Sequence, residues 1–330
     1  MAGAHFDVLG VGNAIVDVLA HADDAFIDTH GLAKGAMTLI DEDTASRLYD
    51  AMGPAVECSG GSAANTIAGL ASLGGSGAFI GKVCDDELGA VFRHDIRALG
   101  IAFETLLASD SAPTARCLIL VTPDAQRTMQ TYLGACVELG PDDIDDDLIA
   151  AARVCYLEGY LWDRPEAKEA FRKAARISHQ AGHRVSLSLS DPFCVDRHRD
   201  DFLSLVEDHV DILFANEEEI LSLYQADTFD AALQRVRGHC EIAALTRGEK
   251  GSVIVSGDQV HVVDAAPAER VVDTTGAGDA YAAGFLHGLS DDHDLAACAR
   301  IAGIAAAEVI AHMGARPEIS LKDVVAEKFA

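Results

Sequence analysis

The apolar positions of the chain fall into short runs separated by longer amphipathic stretches. The short runs predict buried strands at 6–11, 78–80, 154–157, 185–189, 212–215 and 242–245. The longer stretches predict helices at 41–52, 87–99, 165–181 and 216–224. Strand–helix alternation of this length is typical of a doubly wound, mostly parallel sheet. We therefore expect one α/β domain over residues 1–330, with helices on both faces of the sheet.

A second group of strands lies outside this alternation. Residues 114–121 and 128–133 are rich in β-forming residues, flank Pro123-Asp124 and predict a hairpin. The pattern predicts no helix close to this hairpin on either side, so we expect it to belong to a small separate sheet. Residues 252–255 and 260–263 predict a second hairpin, after the last of the strand–helix units.

Composition excludes several kinds of partner. The chain has 330 residues, is 49% hydrophobic and carries a formal net charge of −28. The length and the hydrophobic fraction predict a sizeable core. The negative charge repels nucleic acid and anionic membranes. No apolar run approaches the roughly 18 residues needed to span a membrane. A nucleotide would have to be held by local N–H groups, Mg²⁺ or a few arginines.

Cysteine spacing and the N-terminal residues predict a cytoplasmic protein. None of the eight cysteines forms a C-x-x-C pair, so zinc-ligand spacing is missing and the thiols are expected to be small core residues in a reducing compartment. The first residues lack the basic start and long apolar core of a signal peptide.

The usual nucleotide-binding glycine motifs are incomplete. Gly10-Val11-Gly12 lacks the third glycine of the dinucleotide motif, since Ile15 stands in its place. Gly81-Lys82 is not a P-loop, because Val83 occupies the position of the metal-binding Ser or Thr.

Two other glycine turns carry candidate chemistry. In Asp273-Thr274-Thr275-Gly276-Ala277-Gly278-Asp279, the glycines bring bare N–H groups to a predicted helix N-terminus, which favours an anion. Asp279 in the first turn is either an ordinary dipole partner or a base facing the bound group. In the second turn, Gly60 and Gly61 precede a helix with Ser62 as its predicted N-cap and Asn65 one turn further on. This turn is either a close helix–sheet contact or a ligand site.

Both turns resemble signatures of the ribokinase (PfkB) family of sugar and nucleoside kinases. The string 273–279 resembles the C-terminal signature, and Gly60-Gly61 through Asn65 to Leu73-Gly74 resembles the N-terminal one. The resemblance covers nearly the whole chain. It implies the ribokinase-like fold, with a β-sheet lid inserted from about 14–40 and 104–134. It also implies phosphoryl transfer, with Gly276, Ala277 and Gly278 as the anion hole and Asp279 as the catalytic base.

The resemblance also assigns the phosphate and metal residues. Asn216 and Glu219 form its N-x-x-E motif, which orders Mg²⁺ and water near the phosphates of ATP. The family's nucleotide-contacting T-x-G-x-x-G falls on Thr246, Gly248 and Gly251, while Ala305 borders the adenine.

Two further assignments concern charges near the phosphates. The resemblance implies that Asp273 helps to hold a monovalent cation such as K⁺ beside the anion hole, as in some family members. Arg127, at the edge of the lid segment, either approaches the phosphates or is a solvated hairpin charge.

The acceptor is predicted from a resemblance to adenosine kinases within this family. Gly12-Asn13 through Asp17 resembles their G-N-x-x-x-D, Gln130 through Ala135 resembles their lid strand, and Gly159-Tyr160-Leu161 replaces their G-F-F. The implied substrate site comprises Asn13, Asp17, Met37, Leu39, Gly60, Gly61, Ser62, Asn65, Leu133, Gly134, Tyr160 and Leu161.

We therefore expect ATP-dependent phosphorylation of the 5′-hydroxyl of adenosine or a related purine nucleoside, in purine salvage. A sugar kinase of the same family and a non-catalytic nucleotide-binding protein remain as alternatives. Nucleoside and ATP are the expected partners, and the chain is expected to be a monomer or a homodimer.

Overall fold

The computed structural model describes residues 5–109, 111–124 and 126–329. Within them the strands, in chain order, are β1 (Phe6–Val11), β2 (Ile15–His21), β3 (Met37–Leu39), β4 (Ala55–Gly60), β5 (Gly77–Ile80), β6 (Ala115–Val121), β7 (Arg127–Tyr132), β8 (Ala152–Glu158), β9 (Arg184–Ser188), β10 (Ile212–Asn216), β11 (Ile242–Thr246), β12 (Ser252–Ser256) and β13 (Gln259–Val263).

The helices of the same residues are α1 (Asp24–Thr29), α2 (Glu42–Ala51), α3 (Ser62–Leu73), α4 (Glu87–Ala98), α5 (Asp146–Ala150), α6 (Pro165–Gln180), α7 (Pro192–His209), α8 (Glu217–Tyr224), α9 (Phe229–Val236), α10 (Ala277–Ser290), α11 (Leu295–Val309) and α12 (Leu321–Lys328). None of these helices is long and apolar enough to cross a membrane.

Eight strands form the large sheet, in the order β13-β12-β11-β10-β9-β8-β1-β5. The six strands from β11 to β5 in this order run parallel, and β12 and β13 add an antiparallel hairpin at one edge. The predicted mostly parallel α/β fold is confirmed. The order reverses at β1, which lies between β5 and β8, and ligands in such sheets bind beyond the carboxyl ends of the strands near this point.

Helices cover both faces because side chains alternate along each strand. On one face of the sheet, Leu9 of β1 packs in a core with Phe171 of α6 and Phe202 of α7. On the other face, Val8 packs in a core with Ile67 of α3 and Phe285 of α10. The two helices that begin at the predicted glycine turns therefore share one face of the sheet.

The second sheet has five strands in the order β3-β7-β6-β2-β4. It contains the predicted hairpin, β6 and β7, and β2 pairs parallel with β6. Its edge strand β4 lies outside the two chain segments predicted to form the lid. Val56 of β4 is exposed, as is typical of an edge strand, and such a strand lacks the apolar run of a buried one. The small sheet thus draws on three segments of the chain.

Candidate active site

A cleft of ≈ 670 Å³ lies between the two sheets, a volume typical of small-molecule sites. Four neighbouring strands of the large sheet, β8 to β11, each contribute their last residue to its lining: Glu158, Ser188, Asn216 and Thr246. The small sheet covers the cleft from the opposite side with residues of β2, β3, β6 and β7. The cleft therefore occupies the position expected for a ligand in an open α/β sheet.

Most of the predicted site residues meet in this cleft although they are far apart in the sequence. Those that line it are Asn13, Asp17, Met37, Leu39, Gly61, Ser62, Asn65, Leu133, Tyr160, Asn216, Glu219, Thr246, Gly276, Gly278 and Asp279. The remaining predicted residues are not part of this lining: Gly60, Arg127, Gly134, Leu161, Gly248, Gly251, Asp273, Ala277 and Ala305.

The turn before α10 adopts the conformation that its glycines allow. Gly276 has φ 77°, in the left-handed region, and a Cβ there would lie 2.5 Å from the Ala315 carbonyl oxygen. A Cβ at Gly278 would meet no heavy atom within 4 Å. The N–H groups of Gly278 and Asp279 belong to the first helical turn, where no intrahelical acceptor exists. These donors at the floor of the cleft can receive an anion.

Asp279 receives hydrogen bonds from the other glycine turn. Ser62 Oγ donates to Asp279 Oδ1 at 2.6 Å, and Asn65 Nδ2 donates to Oδ2 at 3.3 Å. Burial raises the pKa of Asp279 to about 6, and these two hydrogen bonds partly oppose that rise. The carboxylate therefore keeps a pKa at which it is mostly ionised at neutral pH.

The structure corrects the predicted role of Ser62. Gly61, with φ 98°, occupies the N-cap position of α3, and Ser62 is the first helical residue. A Cβ at Gly61 would lie 2.1 Å from the Asn13 carbonyl oxygen, so the turn passes close to the end of β1. The Ser62 hydroxyl is consequently directed to Asp279 instead of capping its own helix.

Asp17 reaches the cleft from the small sheet. Its pKa is raised to about 6 by burial, against the lowering effect of Arg316 and Arg127. A Cβ at Gly60 would lie 2.5 Å from Asp17 Cγ, so the missing side chain of Gly60 leaves room for this carboxyl group. Asp17 and Gly61, two residues of the predicted substrate site, thus both line the cleft.

Glu158 lines the cleft but was missed by the motif analysis, although it directly follows the strand predicted at 154–157. It is 1% exposed, and its oxygens accept from Asn13 Nδ2 at 2.7 Å and from Ala63 N at 2.8 Å. Burial raises its pKa to about 7. Asn13 Oδ1 is buried and has no hydrogen-bond partner within the described ranges. Glu158 therefore fixes the orientation of the Asn13 side-chain amide and leaves its Oδ1 as an unused acceptor among the described residues.

Exposed apolar side chains line the same cleft. Tyr160 is 39% exposed, Met37 49%, Leu39 59% and Phe193 76%. The Tyr160 hydroxyl donates to the Ser190 carbonyl oxygen at 3.2 Å. Phe193, in the first turn of α7, was missed because no helix was predicted there. The cleft thus combines hydroxyl-binding groups with apolar and aromatic surface.

Asn216 and Glu219 form a closed pair at the junction of β10 and α8. Asn216 donates to both Glu219 oxygens, from its backbone N at 2.8 Å and from Nδ2 at 2.7 Å. Burial raises the pKa of Glu219 to about 7. With both oxygens already accepting hydrogen bonds, Glu219 fits Mg²⁺ through an intervening water better than by direct coordination.

Arg127 and Asp273 form a buried ion pair between the small sheet and the loop before α10. Their side chains are 7% and 8% exposed, which excludes a solvated hairpin charge in this conformation. Asp273 also accepts from Gly314 N at 3.1 Å, from Thr275 N at 3.0 Å and from Thr275 Oγ1 at 2.7 Å. These surroundings do not fit a monovalent cation, because the guanidinium of Arg127 already holds the compensating charge.

Four of the predicted residues do not face the cleft and instead lie in the core or in tight loops. Ala305 is fully buried among α10, α11 and α12, and Leu161 is 2% exposed in the main core, so Tyr160 is the one of the pair that faces the cleft. Gly134 and Gly251 have φ 43° and 79°, and a Cβ at either would lie within 2.1 Å of a carbonyl oxygen. Gly134 and Gly251 are therefore needed for the conformation of their loops.

Comparison with known proteins agrees with this geometry. The family model "pfkB family carbohydrate kinase" matches residues 49–321. An adenosine kinase from Sinorhizobium meliloti is 53% identical, with a TM-score of 0.90 over 99% of this chain and 100% of that one. A probable sugar kinase from Rhizobium etli CFN 42 is 51% identical, with a TM-score of 0.90 over 98% of both chains.

A curated relative extends the match beyond these two structures. The probable chloroplastic fructokinase-6 of Arabidopsis thaliana is 32% identical over 72% of this chain and 63% of its own length. The family model and these relatives confirm the family predicted from the two glycine turns. The chain belongs to the pfkB family of carbohydrate kinases and is a phosphotransferase that acts on an alcohol acceptor.

Proposed function

We propose that the protein transfers the γ-phosphoryl group of ATP to the 5′-hydroxyl of adenosine or a related purine nucleoside, in purine salvage. The observation that carries this proposal is the presence of Tyr160 and Phe193, both exposed, in the same cleft as Asp17 and Asp279. An aromatic surface offers a purine a stacking partner, whereas a bare sugar would leave it uncovered. Met37 and Leu39 of the small sheet add apolar surface above it.

Asp279 supplies the acid–base chemistry of the proposed reaction. Its carboxylate accepts the proton of the 5′-hydroxyl as the new bond from oxygen to the γ-phosphorus forms. The bond from the γ-phosphorus to the β,γ-bridging oxygen breaks, and ADP leaves with the electron pair. The N–H groups of Gly278 and Asp279 face the charge on the transferred group, and such preorganised donors stabilise it.

The remaining groups position the two substrates. Asp17, Asn13 and Asn65 offer hydrogen bonds to the sugar hydroxyls. Asn216 and Thr246 end β10 and β11 at the cleft, which supports an ATP site there. Glu219 would hold Mg²⁺ through water, and when bound the ion neutralises phosphate charge. The small sheet covers the cleft and would exclude water, which otherwise competes as the phosphoryl acceptor.

A substrate panel tests the choice of acceptor. Release of ADP from ATP and Mg²⁺ is measured with adenosine, inosine, guanosine, ribose and fructose, for the wild type and for Phe193→Ala. We expect kcat/KM for at least one purine nucleoside to exceed that for both sugars by 100-fold or more. Phe193→Ala should lower the nucleoside value by about tenfold, the loss of one stacking contact of roughly 1.4 kcal/mol.

A sugar kinase is the second candidate, since the 51% identical Rhizobium etli protein is described as a probable sugar kinase. Faster phosphorylation of ribose or fructose than of any nucleoside, with Phe193→Ala unchanged on the sugar, would establish it and overturn the nucleoside proposal.

A further inference from the structure

Arg316, in the loop between α11 and α12, contacts the site from behind Asn65. Its Nε donates to Asn65 Oδ1 at 3.0 Å. Its Nη1 donates to Ser59 Oγ at 2.8 Å and to Asp95 Oδ2 at 3.2 Å. The side chain is 19% exposed and therefore lies largely within the protein. One guanidinium thus joins the end of β4, α4, α3 and the C-terminal loop.

This contact settles the orientation of the Asn65 amide. An asparagine can present either its oxygen or its NH₂ group to a given neighbour. Here Arg316, a pure donor, faces Oδ1, while the Asp279 carboxylate faces Nδ2 at 3.3 Å. The reversed amide would place NH₂ against a guanidinium and an oxygen against a carboxylate. Both neighbours therefore select the same orientation.

Arg316 is itself held in place. Asp95 Oδ2 accepts from Arg316 and also from the backbone N and hydroxyl of Ser59, at 2.8 Å and 2.5 Å. The remaining nitrogen of the Arg316 guanidinium, Nη2, is buried without a hydrogen-bond partner among the residues that the structure describes. A buried charge with an unpaired donor costs stability compared with an apolar side chain, so packing alone does not account for an arginine here.

We propose that Arg316 is a positioning residue, which fixes the Asn65 amide so that its NH₂ group orients the Asp279 carboxylate for proton transfer. The inference rests on the proposed kinase activity of this cleft. Arg316 acts through Asn65 and by its charge, and it does not need to contact the substrate.

The charge of Arg316 gives the inference a distinctive readout. The titratable and charged groups that face Asp279 are Asp17, Glu158, Tyr156, Tyr160 and Arg316. Arg316 is the cation of this group and lowers the pKa of Asp279, whereas Asp17 raises it. Removing the charge should move the acidic limb of the kcat/KM profile to higher pH.

The test compares Arg316→Met, Arg316→Lys and wild type, with Arg184→Met as a matched control. Arg184 forms an exposed ion pair with Glu241, with 45% and 49% of the two side chains exposed. We expect Arg316→Met to lower kcat/KM by about 100-fold, a loss typical of a misplaced catalytic group, and to shift the acidic limb upward. Arg316→Lys keeps the positive charge but loses the planar set of guanidinium donors. The acidic limb should therefore remain at the wild-type pH, while kcat/KM falls in part.

The possible results separate the inference from the proposed function. If the wild type phosphorylates none of the acceptors, the proposed function fails. If the wild type is active and Arg316→Met stays within twofold of it with an unmoved acidic limb, the positioning role is wrong. A lower Tm with an unmoved limb in both Arg316 variants would reduce Arg316 to a structural contact. Should Arg316→Met not fold, Arg316→Lys is the test. A lower kcat/KM with an unmoved acidic limb and the wild-type Tm supports the positioning role, and a wild-type kcat/KM contradicts it.

Discussion

At the scale of single residues, the site is a group of carboxyl groups removed from water. Burial raises the pKa of Asp279 and Asp17 to about 6 and of Glu158 and Glu219 to about 7. Hydrogen bonds oppose the rise for Asp279, Glu158 and Glu219, whereas the charges of Arg316 and Arg127 oppose it for Asp17. Glu219 also lies in a first helical turn, that of α8, but both of its oxygens accept from Asn216. Asp279 lies in the first turn of α10, where the N–H groups of Gly278 and Asp279 have no intrahelical acceptor and border the cleft. This combination of an ionisable base and an anion site distinguishes it from the other three.

The raised pKa values predict an acid-sensitive enzyme. As pH falls through about 6, Asp279 gains a proton and loses its ability to accept another, so kcat/KM should fall below that pH. Asp17 titrates in the same range, and the slope of the acidic limb should therefore exceed that of a single group. The measurement is kcat/KM between pH 5 and 8.5. A profile that stays flat down to pH 5, as expected for a carboxyl group with an ordinary pKa near 4, would contradict the assignment.

Single residues were predictable where a local motif marked them. Asp279 and Asn65 each follow a glycine turn. The turns alone left two interpretations open, and the resemblance to the two family signatures assigned these residues to the site. Arg316 carries no such signal, since its partner Asn65 lies 251 positions away in the sequence. Glu158 was visible as a polar residue ending a strand, but only the fold shows that it meets Asn13, 145 positions away. Partners of this kind are decided by tertiary packing.

At the scale of elements, the two glycines of the turn before α10 have different surroundings. Gly276 and Gly278 stand two positions apart in the same turn. The first is held in the left-handed region against Ala315, whereas the second faces open space. The turn thus separates a conformational role from a ligand-facing one.

Substituting each glycine by alanine should separate these two roles. Gly276→Ala adds strain and a contact of 2.5 Å with a carbonyl oxygen, so we expect a lower Tm together with lost activity. Gly278→Ala should keep the Tm within about 2 °C of wild type, since its Cβ meets nothing within 4 Å. Its rate with ATP should nevertheless fall at least tenfold, because the new methyl group enters the space proposed for the phosphate. Unchanged kinetics in Gly278→Ala would place the phosphate elsewhere.

The elements themselves were predictable where periodicity was strong. The buried strands β1 and β8 to β11 are short segments rich in apolar residues, and the pattern located all five. Strand β4 is an exposed edge with a short alternating sequence, and α7 contains a break in helical geometry at His198. Both were missed because a solvent-facing strand and an interrupted helix lack the regular spacing on which such predictions depend.

At the scale of the whole molecule, a buried ion pair joins the small sheet to the loop before α10. Arg127 begins β7, and Asp273 lies six residues before Asp279. The pair connects the cover of the cleft to the turn that would bind phosphate. An anionic ligand at that turn would compete with Asp273 for the guanidinium.

Removing one member of a buried pair should cost more than removing both. We expect Arg127→Met and Asp273→Asn each to lower the free energy of unfolding by about 3 kcal/mol, since each leaves a buried charge unpaired. The double variant should lose clearly less than the sum of the two. Urea unfolding measures all four proteins.

The exposed pair Arg184 and Glu241 provides the control cycle, with an expected coupling below about 1 kcal/mol. Additive losses in the Arg127 and Asp273 cycle would show that the two side chains do not interact in solution.

The most direct test of the whole account is the rate at which Asp279→Asn transfers phosphate from ATP to a nucleoside. We expect a fall of about a thousandfold or more, within the range known for a general base. The Tm at pH 8 should not fall, because the variant removes a carboxylate whose burial disfavours its ionised form. Asp291→Asn, at the exposed end of the same helix, should retain wild-type activity. An Asp279→Asn protein that keeps the wild-type Tm and turns over within a few-fold of wild type would contradict the assignment of the base.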